Sequence, residues 1–265
     1  MCFKFSGPTV LSTIALVFSL CLCPVRVSAD HEIEQSKEAV EQSIRQTFAD
    51  FNKDDFAGFA DGWTDMGFYN KTMFGMHTDR RVPKDEIPVF FGAMKLPGPI
   101  QLLKVSNIRI VDHMRYEATA EVEIQQGHVR ERYGLWMIKR LALDKRYKIR
   151  KDVRLPLYPD GYPVVDVKMH EYKFDFDKNQ VGRNMVLKIA NAGELTHEFI
   201  LFHHVMPADW ENSVARGAWE LKPGEVTEIV VADLEPGDYA LVCCRTDRDM
   251  KLHCDKGMRT EFKIN

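Results

Sequence analysis

Pro236-Gly237-Asp238-Tyr239-Ala240-Leu241-Val242-Cys243, followed by His253-Cys254-Asp255-Lys256-Gly257-Met258, decides the fold of the C-terminal part of this 265-residue chain. A Pro-Gly turn opens into an apolar run of strand character, and the run delivers a cysteine. Working outward, Val164 to Phe176, Met185 to Ala190, Glu198 to Phe202, Val226 to Val231 and Thr260 to Ile264 are further short strand-like runs. Turns at Asn191-Ala192-Gly193, Lys222-Pro223-Gly224 and Glu235-Pro236-Gly237 separate them, the pattern of an all-β Greek-key sandwich over residues 164–265.

Four positions at the turn-rich end of this sandwich carry copper-ligand chemistry: His197, Cys243, His253 and Met258. Two imidazoles and a thiolate in a trigonal set, with a thioether held further off, serve an ion that alternates between two oxidation states. Soft sulfur suits the reduced ion and imidazole the oxidised one.

These segments resemble the cupredoxins over about Val164 to Asn265. Asn191 to Phe199 matches the family's segment with the first histidine, Leu221 to Glu225 its Pro-Gly turn, and Pro236 to Cys243 its cysteine strand; His253 to Met258 matches the closing histidine and Gly-Met pair. The resemblance implies one mononuclear copper held by those four residues. It also exposes a departure. Cys243 and His253 stand ten apart, with 245–252 as an apparent insertion that carries Met250. A binuclear copper site would need two cysteines four positions apart, and a multicopper oxidase further histidine clusters.

Adjacent side chains on a strand face opposite ways, so only one of Cys243 and Cys244 can face a metal. The count from Tyr239 favours Cys243, and Cys244 is then placed to form a disulfide with Cys254. His203-His204 could be a second copper-capture point, but surface histidines are the plainer reading, and His170 alternates away from Val167 and Met169.

The N-terminus supports export. Lys4 precedes the apolar run Val10 to Cys23, and Val27-Ser28-Ala29 offers a cleavage site, so residues 1–29 are expected to be a signal peptide. The run is shorter than the roughly 20 residues that cross a bilayer. Leu stands before both Cys21 and Cys23, which argues against lipid attachment. Removal of Lys4 and Arg26 leaves 34 basic against 39 acidic residues, a shift from -3 to -5, a net charge that implies no nucleic-acid-binding surface. Cys243, Cys244 and Cys254 remain, an odd count that points to one disulfide plus one thiol for a metal. A periplasmic or secreted location, with no membrane attachment after cleavage, is the expectation.

Residues 30–157 begin helical and end as strands. Ile33, Val40, Ile44, Thr47, Phe48 and Phe51 recur at helical spacing; Phe56, Phe59 and Trp63 share one side of a second short helix; a third starts near Pro83 with Ile87, Phe90, Phe91 and Met94 apolar. Leu102 to Val111, the alternating Tyr116 to Ile124, Arg132 to Ile138 and Tyr147 to Val153 predict a four-stranded meander, and helices before a curved sheet predict an α+β cone. This order resembles the nuclear transport factor 2-like, or SnoaL-like, superfamily, carried by Ala39 to Phe51, Val105 to Ile110, Tyr116 to Ile124 and the Tyr133 to Ile138 strand with Trp136. The resemblance implies a binding or dimerisation module, or a small-molecule enzyme if an acid or base lies inside the cone. Asp65, His77, His113 and Asp152 are the candidates, each with a plainer structural account. Residues 158–163, with Pro159, Gly161 and Pro163, are the expected linker.

The combined expectation is an exported two-domain protein that passes single electrons through copper to a redox partner. Alternatives are copper capture and delivery to an acceptor without electron transfer, or an enzyme with an accessory copper domain. A homodimer through the N-terminal domain is implied by resemblance alone.

Overall fold

The computed structural model describes residues 25–64, 68–69, 81–92, 98–112, 117–140, 144–203 and 213–265. The apolar run 10–23 and the candidates Asp65, His77, His113 and His204 lie outside them, and the expected cleavage point after Ala29 falls within the first helix.

Helix α1 (Val25–Phe51) buries Val40, Ile44, Phe48 and Phe51, a repeat of three and four residues that lines one helical face. Its end is tied down by Asn52, whose side chain donates to the Ile100 carbonyl and accepts from the Ile100 N–H, both at 2.7 Å. Helix α2 (Phe56–Asp61) starts where the Asp55 carboxylate accepts from Gly58 N–H at 2.9 Å. It stops at Gly62, where an added Cβ would lie 2.3 Å from the Thr47 hydroxyl, so close approach to α1 requires glycine. Trp63, expected on that helix, therefore sits just past it and pairs in parallel with Ile149. A 3-10 turn (Lys84–Glu86) leads into α3 (Ile87–Gly92), where Pro88 is tolerated in the first turn. The rings of Phe51, Phe59 and Phe91 meet edge to face.

Two short strands, β1 (Phe68–Tyr69) and β2 (Arg81–Val82), pair with each other. Strands β3 (Ile100–Asp112), β4 (Glu117–Gln126), β5 (Val129–Ile138) and β6 (Lys148–Leu155) form an antiparallel meander. Ala118, Ala120, Val122 and Ile124 of β4 are buried and alternate with half-buried neighbours, so one face belongs to a core shared with the helices.

The remaining strands are β7 (Val164–His170), β8 (Lys173–Asp175), β9 (Met185–Asn191), β10 (His197–His203), β11 (Ser213–Leu221), β12 (Val226–Val231), β13 (Gly237–Val242) and β14 (Arg259–Ile264). They make two layers, ordered β12-β9-β7-β8 and β11-β10-β13-β14, around a second core. Phe199, Leu201, Tyr239, Leu241 and Cys243 point into that core, while Ile200, Phe202, Ala240 and Val242 form a third cluster on the opposite face.

Two features differ from the expectation. The run from Val164 to Phe176 is broken by a hairpin at Glu171-Tyr172, with Tyr172 at φ 59, and β11 is an additional strand whose pairing with β10 is interrupted by register shifts. Beside the 158–163 segment the two halves meet along a seam. Val129 and Arg130 of β5 pair with Val231 and Val230 of β12, so one eight-stranded sheet runs through both halves. Arg154 donates to the Glu228 carbonyl at 2.7 Å, Ala232 N–H donates to the His128 carbonyl at 2.8 Å, and Arg130 donates to the Tyr162 hydroxyl at 3.2 Å.

Candidate metal centre

Three of the four sequence-predicted ligands meet through their donor atoms. His197 opens β10, Cys243 follows β13, and His253 lies in the turns before β14; one ring nitrogen of each histidine and Sγ of Cys243 lie within 4.8 Å of one another, and all three residues are buried. The two Nδ1 atoms are 3.3 Å apart, and Cys243 Sγ is 3.4 Å from Nδ1 of His253. Nitrogen and sulfur bound at about 2.0–2.3 Å to one tetrahedral or trigonal ion stand roughly 3.3–3.6 Å apart. The donor spacing therefore fits a single small metal ion.

Hydrogen-bonding roles support that fit. Nε2 of His253 contacts the Asp247 carboxylate at 2.9 Å, and a carboxylate only accepts, so Nε2 carries a hydrogen and Nδ1 faces His197 and Cys243. Nε2 of His197 is buried, has no hydrogen-bond partner among the described residues, and lies 3.9 Å from the Glu171 carboxylate. With Nδ1 of His197 engaged by an ion, that Nε2 becomes an N–H directed toward an acidic neighbour. The orphan is what a ligand histidine looks like when its tautomer is set for metal.

Titration behaviour follows from the dry surroundings. Burial and the nearby His253 hold His197 down to about 4, so the ring is neutral at physiological pH. Burial pushes the Cys243 thiol up to about 11, although Glu198 N–H donates to its sulfur at 3.2 Å. A metal must displace that proton.

Met258 is fully buried in the same core, and its backbone joins the other two loops: its N–H donates to the His253 carbonyl at 2.9 Å and its carbonyl accepts from Cys243 N–H at 3.1 Å. Gly257, at φ 106, makes the turn that allows this. The apparent insertion 245–252 folds back as a small hairpin, with Thr246 paired to Leu252 and His253 N–H donating to the Arg245 carbonyl at 2.8 Å.

Sequence reasoning missed the shell around these donors. Asp247 comes from the inserted loop and is gripped by Lys256 and the Tyr172 hydroxyl, both at 2.6 Å; Lys256 first, then Tyr172 and His253, hold its carboxyl well below the usual range. Glu171 accepts from the N–H groups of Glu194 and Leu195, fixing the turn before His197. Asn191 braces the same turn by donating to the Leu195 and Leu221 carbonyls at 2.8 Å and accepting from Gly193 N–H at 2.9 Å. Only the Asn-Ala-Gly spelling announced any of this.

The other candidates lie elsewhere. Cys244 is on the face opposite Cys243, beside Cys254, and both are free thiols. The Cys244–Cys254 disulfide is thus absent from the structure, which instead has the two thiols in hydrogen-bonding contact. His203 stacks on Tyr239 with centroids 4.6 Å apart, and His170 is half-buried at the end of β7. Asp152 is buried on β6, opposite Leu135 in register. A buried pair that the sequence did not reveal lies in the same core: Tyr133 donates to Glu131 at 2.7 Å.

The sequence matches no family model and no curated protein. Among solved structures it is similar to dithionite-reduced auracyanin from the photosynthetic bacterium Roseiflexus castenholzii, with 16% identity over 38% of this chain and 96% of that one and a TM-score of 0.31. Auracyanin B shares 18% identity over 42% of this chain and 93% of that one, TM-score 0.31. A multi-copper oxidase from Pediococcus acidilactici shares 14% over 55% of this chain and 38% of that one, TM-score 0.27. Likeness at this level covers part of the chain and assigns neither family nor activity, and the candidate centre stands on its donor geometry.

Proposed function

We propose that the chain is an exported cupredoxin-like copper protein that carries single electrons. The observation that supports this most is the meeting of His197 Nδ1, Cys243 Sγ and His253 Nδ1 in a dry interior, with His253 turned by Asp247 to aim its lone pair inward. Copper bound there would supply the one-electron couple. The chain's part is to hold two neutral imidazoles and one thiolate in fixed positions, keep water out, and release the Cys243 thiol proton to solvent on binding. Met258 is the weak fourth ligand in this reading. The N-terminal half, helices packed on a meander, is a nuclear transport factor 2-like binding or dimerisation module, and the protein works outside the cytoplasm with a redox partner protein. No helix among the described residues is long and apolar enough to cross a membrane.

Metal analysis with visible and electron paramagnetic resonance spectra tests the assignment. The copper-loaded protein is expected to show intense thiolate-to-copper absorption and a reversible one-electron wave, both lost in Cys243→Ala and kept in Cys244→Ala. Stoichiometric copper without either signal would overturn the electron carrier. A second reading, copper capture and delivery, is favoured by Met250, a thioether 82% exposed on the inserted hairpin. Transfer of the reduced ion to an acceptor apoprotein, lost in Met250→Ala, would select it.

A further inference from the structure

Cys244 and Cys254 have no task in the proposed metal centre, yet each is the immediate neighbour of one of its ligands. They lie on the far face of the β10–β13 layer, half-buried against Ile200, Phe202, Ala240 and Val242. Their thiols contact each other. The backbone holds them there: Cys243 N–H is bonded to the Met258 carbonyl and His253 N–H to the Arg245 carbonyl at 2.8 Å, so Cys244 and Cys254 sit immediately outside a cross-chain bond that closes the 245–252 hairpin. Neighbouring positions across such a pair have Cα atoms about 4.5–5.5 Å apart, inside the roughly 4.4–6.8 Å window for a disulfide.

We propose that Cys244 and Cys254 are a dithiol–disulfide couple that locks and releases the hairpin bearing Asp247. Chemistry and surroundings agree. The pocket is apolar, and a disulfide removes two polar hydrogens from that apolar cluster. The oxidant is a disulfide of the glutathione class or a carrier protein with an oxidised cysteine pair. One protein thiolate attacks one sulfur of that reagent and the other sulfur leaves as a thiolate that takes a proton; the second protein thiol, losing its proton, then attacks the protein sulfur of the mixed disulfide and expels the remaining reagent sulfur. One S–S bond forms and one breaks, two electrons pass to the reagent, and the two thiol protons end on its sulfurs. Closure ties the strand after Cys243 to the turn after His253. The consequence for metal binding rests on the copper reading above, whereas the disulfide does not.

The test uses the full metal-free chain equilibrated with reduced or oxidised glutathione, acid-quenched and alkylated. Peptide mapping is expected to find a Cys244–Cys254 link in the oxidised sample, with Cys243 alkylated in both. Hydrogen exchange of the 245–253 amides should slow by at least about tenfold on oxidation. Free thiols at all ratios, a link through Cys243, or unchanged exchange in the linked form would overturn the proposal. Cys254→Ser should abolish the link and leave exchange indifferent to glutathione. A parallel copper titration separates the two readings. Copper bound equally in both forms with no link leaves the centre standing and removes the couple; a link without copper in either form does the reverse.

Discussion

Asp247→Asn keeps the shape of the side chain and removes the charge that fixes which nitrogen of His253 carries hydrogen. An amide can present either a donor or an acceptor to Nε2, so the inward lone pair is no longer guaranteed. Copper affinity measured by chelator competition is expected to fall about 10–100-fold, with little change in the unfolding midpoint. His197 and Cys243 make a second prediction. The folded His197 pKa, about 4, lies below its ordinary 6.5, so the stability gained from the neutral ring is present above pH 6.5 and lost as pH falls toward 4. The folded Cys243 pKa, about 11, lies above its ordinary 9.0, so its contribution is present below pH 9 and lost as pH rises toward 11. Thermal midpoints of the metal-free protein should therefore form a plateau between about pH 6.5 and 9 that slopes down on both sides. A profile still rising at pH 10 would contradict the burial of Cys243. Copper reverses the alkaline limb, because binding removes the thiol proton.

Strands and turns carried most of what the sequence could announce. Period-two alternation in β4 and Pro-Gly punctuation before β12 and β13 are local signals, and the corresponding strands lie where the spelling put them. The Glu171-Tyr172 hairpin had no such signal. It relies on a non-glycine residue at φ 59 and on a carboxylate that reaches across to backbone amides more than twenty residues away. Strand β11 was hidden by Arg216 and Gly217 in a run that pairs irregularly with β10. The donor residues were legible because their chemistry is distinctive; Asp247 was not, because an aspartate in an inserted loop is ordinary until folding brings Lys256, Tyr172 and His253 around it. Gly257 tests the turn that joins the last histidine to Met258. Gly257→Ala must place a side chain at φ 106, at an expected cost of about 1–3 kcal/mol. Denaturant titration should show that loss, and it should be larger than for Gly182→Ala, whose nearest neighbour is 3.9 Å away.

The whole molecule holds together through a narrow seam. Two residues of β5 pair with two of β12, and Arg154 bridges it, donating to the Glu228 carbonyl at 2.7 Å and standing 3.5 Å from the Glu131 carboxylate. Calorimetry of the intact chain is expected to show one cooperative transition, and Arg154→Ala, which leaves Glu131 buried without this cation, should lower it and split it into two. The N-terminal core, with nineteen buried side chains among the described residues, and the sandwich core, also with nineteen among them, are each large enough to melt separately once uncoupled. The same junction gives each half a chaperoning role toward the other: a fragment cut at the 158–163 crossing would leave the margins of β5 and β12 with open amide and carbonyl groups, an adhesive border that recruits further fragments until they precipitate.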